Sequence, residues 1–175
     1  DANGELNAFT VKAWDGNLAS SSAVQVKVNV NAVNDAPTLT AISTLTGATE
    51  DVFKEITYTD LAAAANEADV DSSNLSFRIE ALSTGTLQKW NAGSSVWESA
   101  QAGITLIAPG DKLQWKGAQD ANGELNAFTV KAWDGTLASN TAIPVKVTTT
   151  AVDDAPRLLA AGPTFAIREN QPFTT

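Results

Sequence analysis

Cysteine, histidine and methionine are all missing from the 175 residues, and tyrosine occurs once. Without cysteine there are no disulfides. Without cysteine and histidine, zinc, copper, haem and iron–sulfur sites of the usual nitrogen and sulfur kind are excluded. Ser–His and Cys–His nucleophile pairs are excluded with them. Only oxygen ligands are left, which directs any metal towards Ca2+ or Mg2+. Basic residues are scarce too: 11 Lys and Arg stand against 20 Asp and Glu, a net charge of −9. Nucleic acid needs a basic footprint on its partner and so does an anionic membrane surface, so neither is expected here. No apolar run approaches the length of a membrane span, and the glycine spacing makes no phosphate-binding loop. An acidic balance suits cations, or simply solubility.

What the chain does have is a repeat. Residues 1–39 align without gaps with 120–158, identical at 29 of 39 positions, and the first sixteen, "DANGELNAFTVKAWDG", return unchanged as Asp120–Gly135. The match continues weakly at the same offset, with Glu50-Asp51 meeting Glu169-Asn170. An offset of 119 is too long for a solenoid or propeller unit and is the size of a domain, so a tandem array is expected. The segment "AVNDAPTL" at 32–39 recurs as "AVDDAPRL" at 151–158, and proline after a short polar cluster ends a strand. Boundaries placed there divide the chain into 1–34, the C-terminal strands of one repeat; 35–154, a whole repeat; and 155–175, the first strand region of another. The sequence is expected to open inside a repeat, with any targeting segment outside it.

Within the whole repeat, alternation dominates. Phe128, Val130 and Ala132 alternate with Thr129, Lys131 and Trp133; Ile143, Val145 and Val147 with Pro144, Lys146 and Thr148; Leu75, Phe77 and Ile79 with Ser76, Arg78 and Glu80; Leu113 and Trp115 flank Gln114. A period of two over such lengths predicts half-buried strands. Turn chemistry separates them at Asn122-Gly123, Asp134-Gly135 and Pro109-Gly110-Asp111. Further strands are expected near 37–45, 53–59, 86–90, 96–99 and 104–108. Many short strands in one domain length point to an all-β fold, an immunoglobulin-like antiparallel β-sandwich. The stretch "DLAAAANEA" at 60–68 breaks the pattern and predicts a short helical insertion with Asp60 as N-cap.

The carboxylates gather at strand ends: Glu50-Asp51, Asp69 and Asp71, Asp120, Asp134, and Asp153-Asp154. Strands of a sandwich run end to end, so such loops collect at two poles. Carboxylates converging there repel one another unless a cation intervenes, and Ca2+ takes six to eight oxygens in a geometry that loops can supply. Each residue also has a plainer reading, because Asp and Asn in turns cap backbone N–H groups. The pair Asp69 and Asp71, spaced to close around one ion, favours ligation; Asp134, followed by glycine, favours a turn.

Four motifs in order resemble the cadherin-like tandem repeats of large bacterial surface adhesins: the linkers "VNDAPTL" and "VDDAPRL", "DVD" at 69–71, "VKAWDG" at 130–135, and "TEDV" and "RENQPF" around Glu50 and Glu169. The resemblance implies an immunoglobulin-like sandwich with Ca2+ between successive domains. It carries Asn34, Asp35, Asp69, Asp71 and Asp134 to one junction, and Glu50, Asp153 and Asp154 to the next. The family's Asp-Arg-Glu motif is missing; Asp120 lies near its place, as does Asp1 in the copy before. The resemblance implies an extracellular, surface-anchored protein that is not an enzyme. Its expected partners are neighbouring repeats of the same chain, and surface or matrix glycans and proteins reached through other domains.

Two other chemistries compete. "DVDSSNLSFRIE" at 69–80 mimics an EF-hand loop, but Asn74 stands where glycine is required and 75–79 alternates as a strand. Trp90 and Trp97 flank a polar hairpin and offer rings for stacking on sugar, which makes a carbohydrate-binding module the alternative; core or edge packing is the plainer account. Paired carboxylates also serve glycoside hydrolysis, but nothing in the sequence marks a cleft.

Overall fold

A computed structural model of the chain describes residues 1–155; the expected strand region at 155–175, with Glu169, lies outside the described residues except for Ala155. Among the described residues the fold is all-β with one short helix. The first hairpin joins β1 (Gly4–Val11) and β2 (Val24–Val30), a two-stranded sheet of its own. Next come β3 (Leu45–Thr49), β4 (Lys54–Thr57), α1 (Tyr58–Ala64), β5 (Ser76–Leu82), β6 (Thr86–Asn91) and β7 (Val96–Ser99). The last four are β8 (Leu106–Ile107), β9 (Lys112–Lys116), β10 (Gly123–Trp133) and β11 (Ile143–Thr150). One sheet has the order β3-β11-β10-β5-β8 and the other β4-β9-β6-β7.

The two sheets share one core. Phe77 and Ile79 of β5, Phe128, Val130 and Ala132 of β10, and Val145 and Val147 of β11 meet Ile56 of β4, Leu87 of β6, and Leu113 and Trp115 of β9, with Leu61 of α1 beside them. Their alternation with half-buried neighbours is the period read from the sequence. Each of the large residues contributes roughly 1.5–3 kcal/mol by leaving water. A bulge between Asn126 and Phe128 puts Ala127 and Phe128 both inside.

Five expectations change. The helix is capped by Thr57, not Asp60: Thr57 Oγ1 accepts from the Asp60 backbone N–H, and the Asp60 carboxylate accepts from the Thr57 N–H, a capping box. The strand expected at 53–59 therefore stops at Thr57. The strand expected at 37–45 starts only at Leu45, with single bridges at Thr38 and Ile42, because Asn66 Oδ1 takes the backbone N–H groups of Thr40 and Ala41. Not every pairing is antiparallel: β3 runs parallel to β11, which a chain can do when a long crossover separates the two strands. Finally, β8 is confined to Leu106–Ile107, because the N–H groups of Ile104 and Thr105 turn back to Gln101 O.

The strands of the larger sheet lead to two poles. At one, β10 ends at Trp133 and β11 begins; at the other lie Gly123, Thr149 and the turn after β3. Among the described residues no helix is long and apolar enough to cross a membrane.

Candidate metal centres

At the Trp133 pole, carboxylate oxygens of Asp1, Asp35 and Asp71 lie within 4.8 Å of one another. The loop is held by backbone donors. Asp69 Oδ1 accepts from the N–H of Asp71 (2.7 Å) and Ser72 (3.1 Å), which turns the chain and swings the Asp71 carboxylate onto the linker. There Asp71 Oδ2 accepts from the Asp35 N–H at 2.8 Å. Asp134 Oδ1 accepts from the N–H of Thr136 and Leu137, both at 2.6 Å, while its Oδ2 accepts from the Asn34 amide at 2.8 Å. The Leu137 N–H and then the Asn34 amide hold the Asp134 carboxyl below its ordinary value.

The opposite pole has a second triad, Asp51, Asp120 and Asp154, again with oxygens within 4.8 Å. Asp51 and Asp120 both take left-handed backbone conformations (φ 59° each), uncommon for residues other than glycine. The Asp120 N–H donates to Asp51 Oδ1 across the triad at 3.4 Å. Buried Glu50 stands beside them, its carboxylate accepting from the Val152 N–H (2.5 Å) and the Asn122 amide (2.9 Å). Those donors, Val152 first, hold the Glu50 carboxyl below its ordinary value. Asp154 moves the other way. Partial desolvation, then the charges of Asp120, Asp51 and Glu50, push its carboxyl up.

The two triads are related by the repeat. An offset of 119 carries Asp1 onto Asp120 and Asp35 onto Asp154. Each triad therefore holds the same two repeat positions plus one other carboxylate, Asp71 at one pole and Asp51 at the other. Oxygens bound to one Ca2+ at about 2.4 Å can be at most about 4.8 Å apart. The all-oxygen, exposed donor sets fit a hard cation on that test.

Of the residues singled out by sequence, the triads bring together Asp35 with Asp71, and Asp120 with Asp154. Asn34, Asp69 and Asp134 stand around the first as turn-formers and hydrogen-bond partners, and Glu50 stands beside the second as a backbone clamp. Asp153 is exposed and outside the triad. Asp51 stands among the strand-end carboxylates of the sequence, but the resemblance carries its neighbour Glu50 to the junction and not Asp51. Glu67 was missed as well. Its Oε2 and Asp69 Oδ2 are buried without hydrogen-bond partners among the described residues, and burial pushes the Glu67 carboxyl up. No periodicity or motif marks it in the sequence.

Trp90 and Trp97 face each other across β6 and β7, edge to face with centroids 5.2 Å apart. The Lys112 ammonium lies 5.4 and 5.5 Å from the two rings. The rings thus take up each other and a cation. Trp133 lies on the outer face of its sheet, half-buried, with the Arg78 guanidinium 4.7 Å from its ring.

No protein-family model and no curated protein matches the chain. Among solved structures it is similar to an endo-fucoidan hydrolase from glycoside hydrolase family 107, with 20% identity, a TM-score of 0.40 and 86% of this chain covered. The match spans 19% of that enzyme's length.

Proposed function

We propose that the chain is an extender segment of a large secreted or surface-anchored bacterial adhesin, built of tandem cadherin-like, immunoglobulin-like β-sandwich repeats and stiffened by Ca2+ at the junctions. The reading gives it a mechanical role and no catalytic one. Its support is the pair of carboxylate triads related by 119 residues. On this mapping, a junction between two whole repeats collects the counterparts of Asp51, Asp120 and Asp154 from the preceding side and of Asp71 from the following side. Four carboxylates at one point repel, and partial desolvation together with the charges of Asp120, Asp51 and Glu50 already pushes the Asp154 carboxyl up. A cation removes it. Asp69, with one oxygen unpartnered, and Glu50 and Asp134 next to the triads then serve as further or positioning oxygens. Ion-free junctions would repel and bend; ion-bridged ones hold successive domains as a rod that carries a distal binding domain away from the cell.

The test is thermal unfolding with Ca2+ and then with a chelator. Binding to the native state alone stabilises it by about 2.7 kcal/mol when free Ca2+ is 100 times Kd. An upward shift of Tm is expected, lost in Asp71→Asn combined with Asp51→Asn. An unchanged Tm and an unchanged scattering envelope sink the reading. A carbohydrate-binding role for Trp90 and Trp97 has no observation of its own to favour it, since both rings are already engaged.

A further inference from the structure

The two linkers are almost the same eight residues. "AVNDAPTL" at 32–39 and "AVDDAPRL" at 151–158 differ at two places, Asn34 against Asp153 and Thr38 against Arg157. Asn34 is where the first linker grips the body. Its amide nitrogen donates to Asp134 Oδ2 at 2.8 Å and to the Asp35 carbonyl at 3.3 Å. The acceptor is left free for it, because Asp134 Oδ1 alone takes the N–H groups of Thr136 and Leu137. One residue on, the Asp35 N–H donates to Asp71 Oδ2 at 2.8 Å. That second contact uses only the linker's backbone and is open to any residue except proline. The first needs the side chain. An amide on a carboxylate is a charge-assisted hydrogen bond, and it seats the linker on the Trp133 pole without adding charge. It works against the repulsion of the Asp1, Asp35 and Asp71 carboxylates beside it. Aspartate at the same place reverses the contact. An ionised carboxylate only accepts, so it has no hydrogen for Asp134 Oδ2, and two carboxylates at that separation repel. Exchanging Asn for Asp therefore removes a donor and adds a charge in one step.

We propose that Asn34 is a latch that holds its linker on the following domain without a cation, and that an array gives way first at junctions with aspartate there, such as Asp153. The second half rests on the reading of the junctions as Ca2+ sites; the first half does not. On the tandem-array reading, Asp153 meets the counterpart of Asp134 in the repeat that follows, carboxylate against carboxylate. Such an array has two kinds of joint. As Ca2+ falls, the linker with asparagine stays seated after the linker with aspartate has come away. The residue at this one position then sets where the rod bends, and Ca2+ sets when.

Asn34→Asp rebuilds the second linker's pair inside the full chain, against Asp134. The chain has no cysteine, so spin labels at Ala32→Cys in the linker and Thr84→Cys in the turn between β5 and β6 report how firmly the linker is seated. Both places are exposed. In excess chelator, the distance distribution is expected to be narrow with Asn34 and at least twofold broader with Asn34→Asp. The swapped pair Asn34→Asp/Asp134→Asn puts the donor on the other side. It is expected to be narrow again in chelator, a rescue that damage to the fold does not produce. Equal widths for Asn34 and Asn34→Asp, or no rescue by the swap, overturn the latch. Millimolar Ca2+ is expected to narrow the Asn34→Asp distribution to the width seen with Asn34. If Ca2+ leaves it broad while raising the Tm of the unsubstituted chain, the order of bending is overturned. If Ca2+ changes neither, the Ca2+ reading itself falls, and the latch stands on the chelator results alone.

Discussion

The sixteen residues of Asp1–Gly16 and Asp120–Gly135 are one sequence in two surroundings, and what they share separates local from tertiary causes. Shared are the register and bulge of the hairpin, the bridge Trp14↔Ala19 or Trp133↔Ala138, and the Asp15 or Asp134 carboxylate on the next turn's N–H groups. So are the ion pairs Lys27–Glu5 and Lys146–Glu124. All of these lie within the hairpin, so its own sequence specifies them. Not shared is strand length: β1 stops at Val11, whereas β10 continues through Lys131, Ala132 and Trp133 because Arg78, Phe77 and Ser76 pair with them. Nor is the tryptophan environment, since Trp14 is 67% exposed and Trp133 lies against Arg78. Strand extension and burial thus come from β5 and the facing sheet, not from the sixteen residues.

The sharpest way to break this comparison is to truncate the same aromatic in both copies. Phe128→Ala empties a fully buried position and is expected to cost about 3–5 kcal/mol in denaturant unfolding. Phe9→Ala acts at an exposed position and is expected to stay within about 0.5 kcal/mol. Similar losses at the two sites would mean that β1–β2 is covered in solution. The next contrast is a hydroxyl. Ser139 Oγ accepts from the Ala132 N–H at 3.1 Å in a buried site, and Ser20 Oγ accepts from the Ala13 N–H at 3.2 Å in the open. Ser139→Ala strands a buried N–H and is expected to cost about 1–3 kcal/mol. At Ser20 water replaces the hydroxyl, so Ser20→Ala is expected to be near neutral, and hydrogen exchange at Ala132 and Ala13 gives a residue-level check.

The same division explains how much was legible in advance. The buried set Phe77, Ile79, Leu113, Trp115, Phe128, Val130 and Val145 is readable because a period of two projects directly onto one face of a strand. The turns at Asn122-Gly123 and Asp134-Gly135 are readable because their chemistry is local. What escaped the sequence depends on distant partners. Thr57 won the cap because the pairing of β4 with β9 ends there, and the alanine-rich run alone does not register that. The 37–45 stretch lost its strand to the side chain of Asn66, more than twenty residues away. At the candidate metal centres, sequence located the acidic loops but not their membership. Asp51 joins Asp120 and Asp154 through a left-handed turn, and that dihedral is set by the junction of β3 and β4 rather than by the residue type.

The smallest expected difference is electrostatic. Backbone N–H donors hold both Asp15 and Asp134 below the ordinary aspartate value of about 3.9, Leu18 first for one and Leu137 first for the other. A depressed carboxyl pKa in the fold contributes stability that is fully present above the unfolded value and is lost as pH falls through the folded one. Both turns should therefore loosen only in acid. Asp134 has one donor that Asp15 lacks, the Asn34 amide from the linker. Carboxyl NMR titration of the metal-free chain is expected to show both groups depressed. With Asn34→Ala, the Asp134 midpoint should rise while that of Asp15 stays where it was. If Asn34→Ala leaves Asp134 unmoved, the linker does not lie against the Trp133 pole in solution, and the first triad loses the contact that brings Asp35 to Asp71.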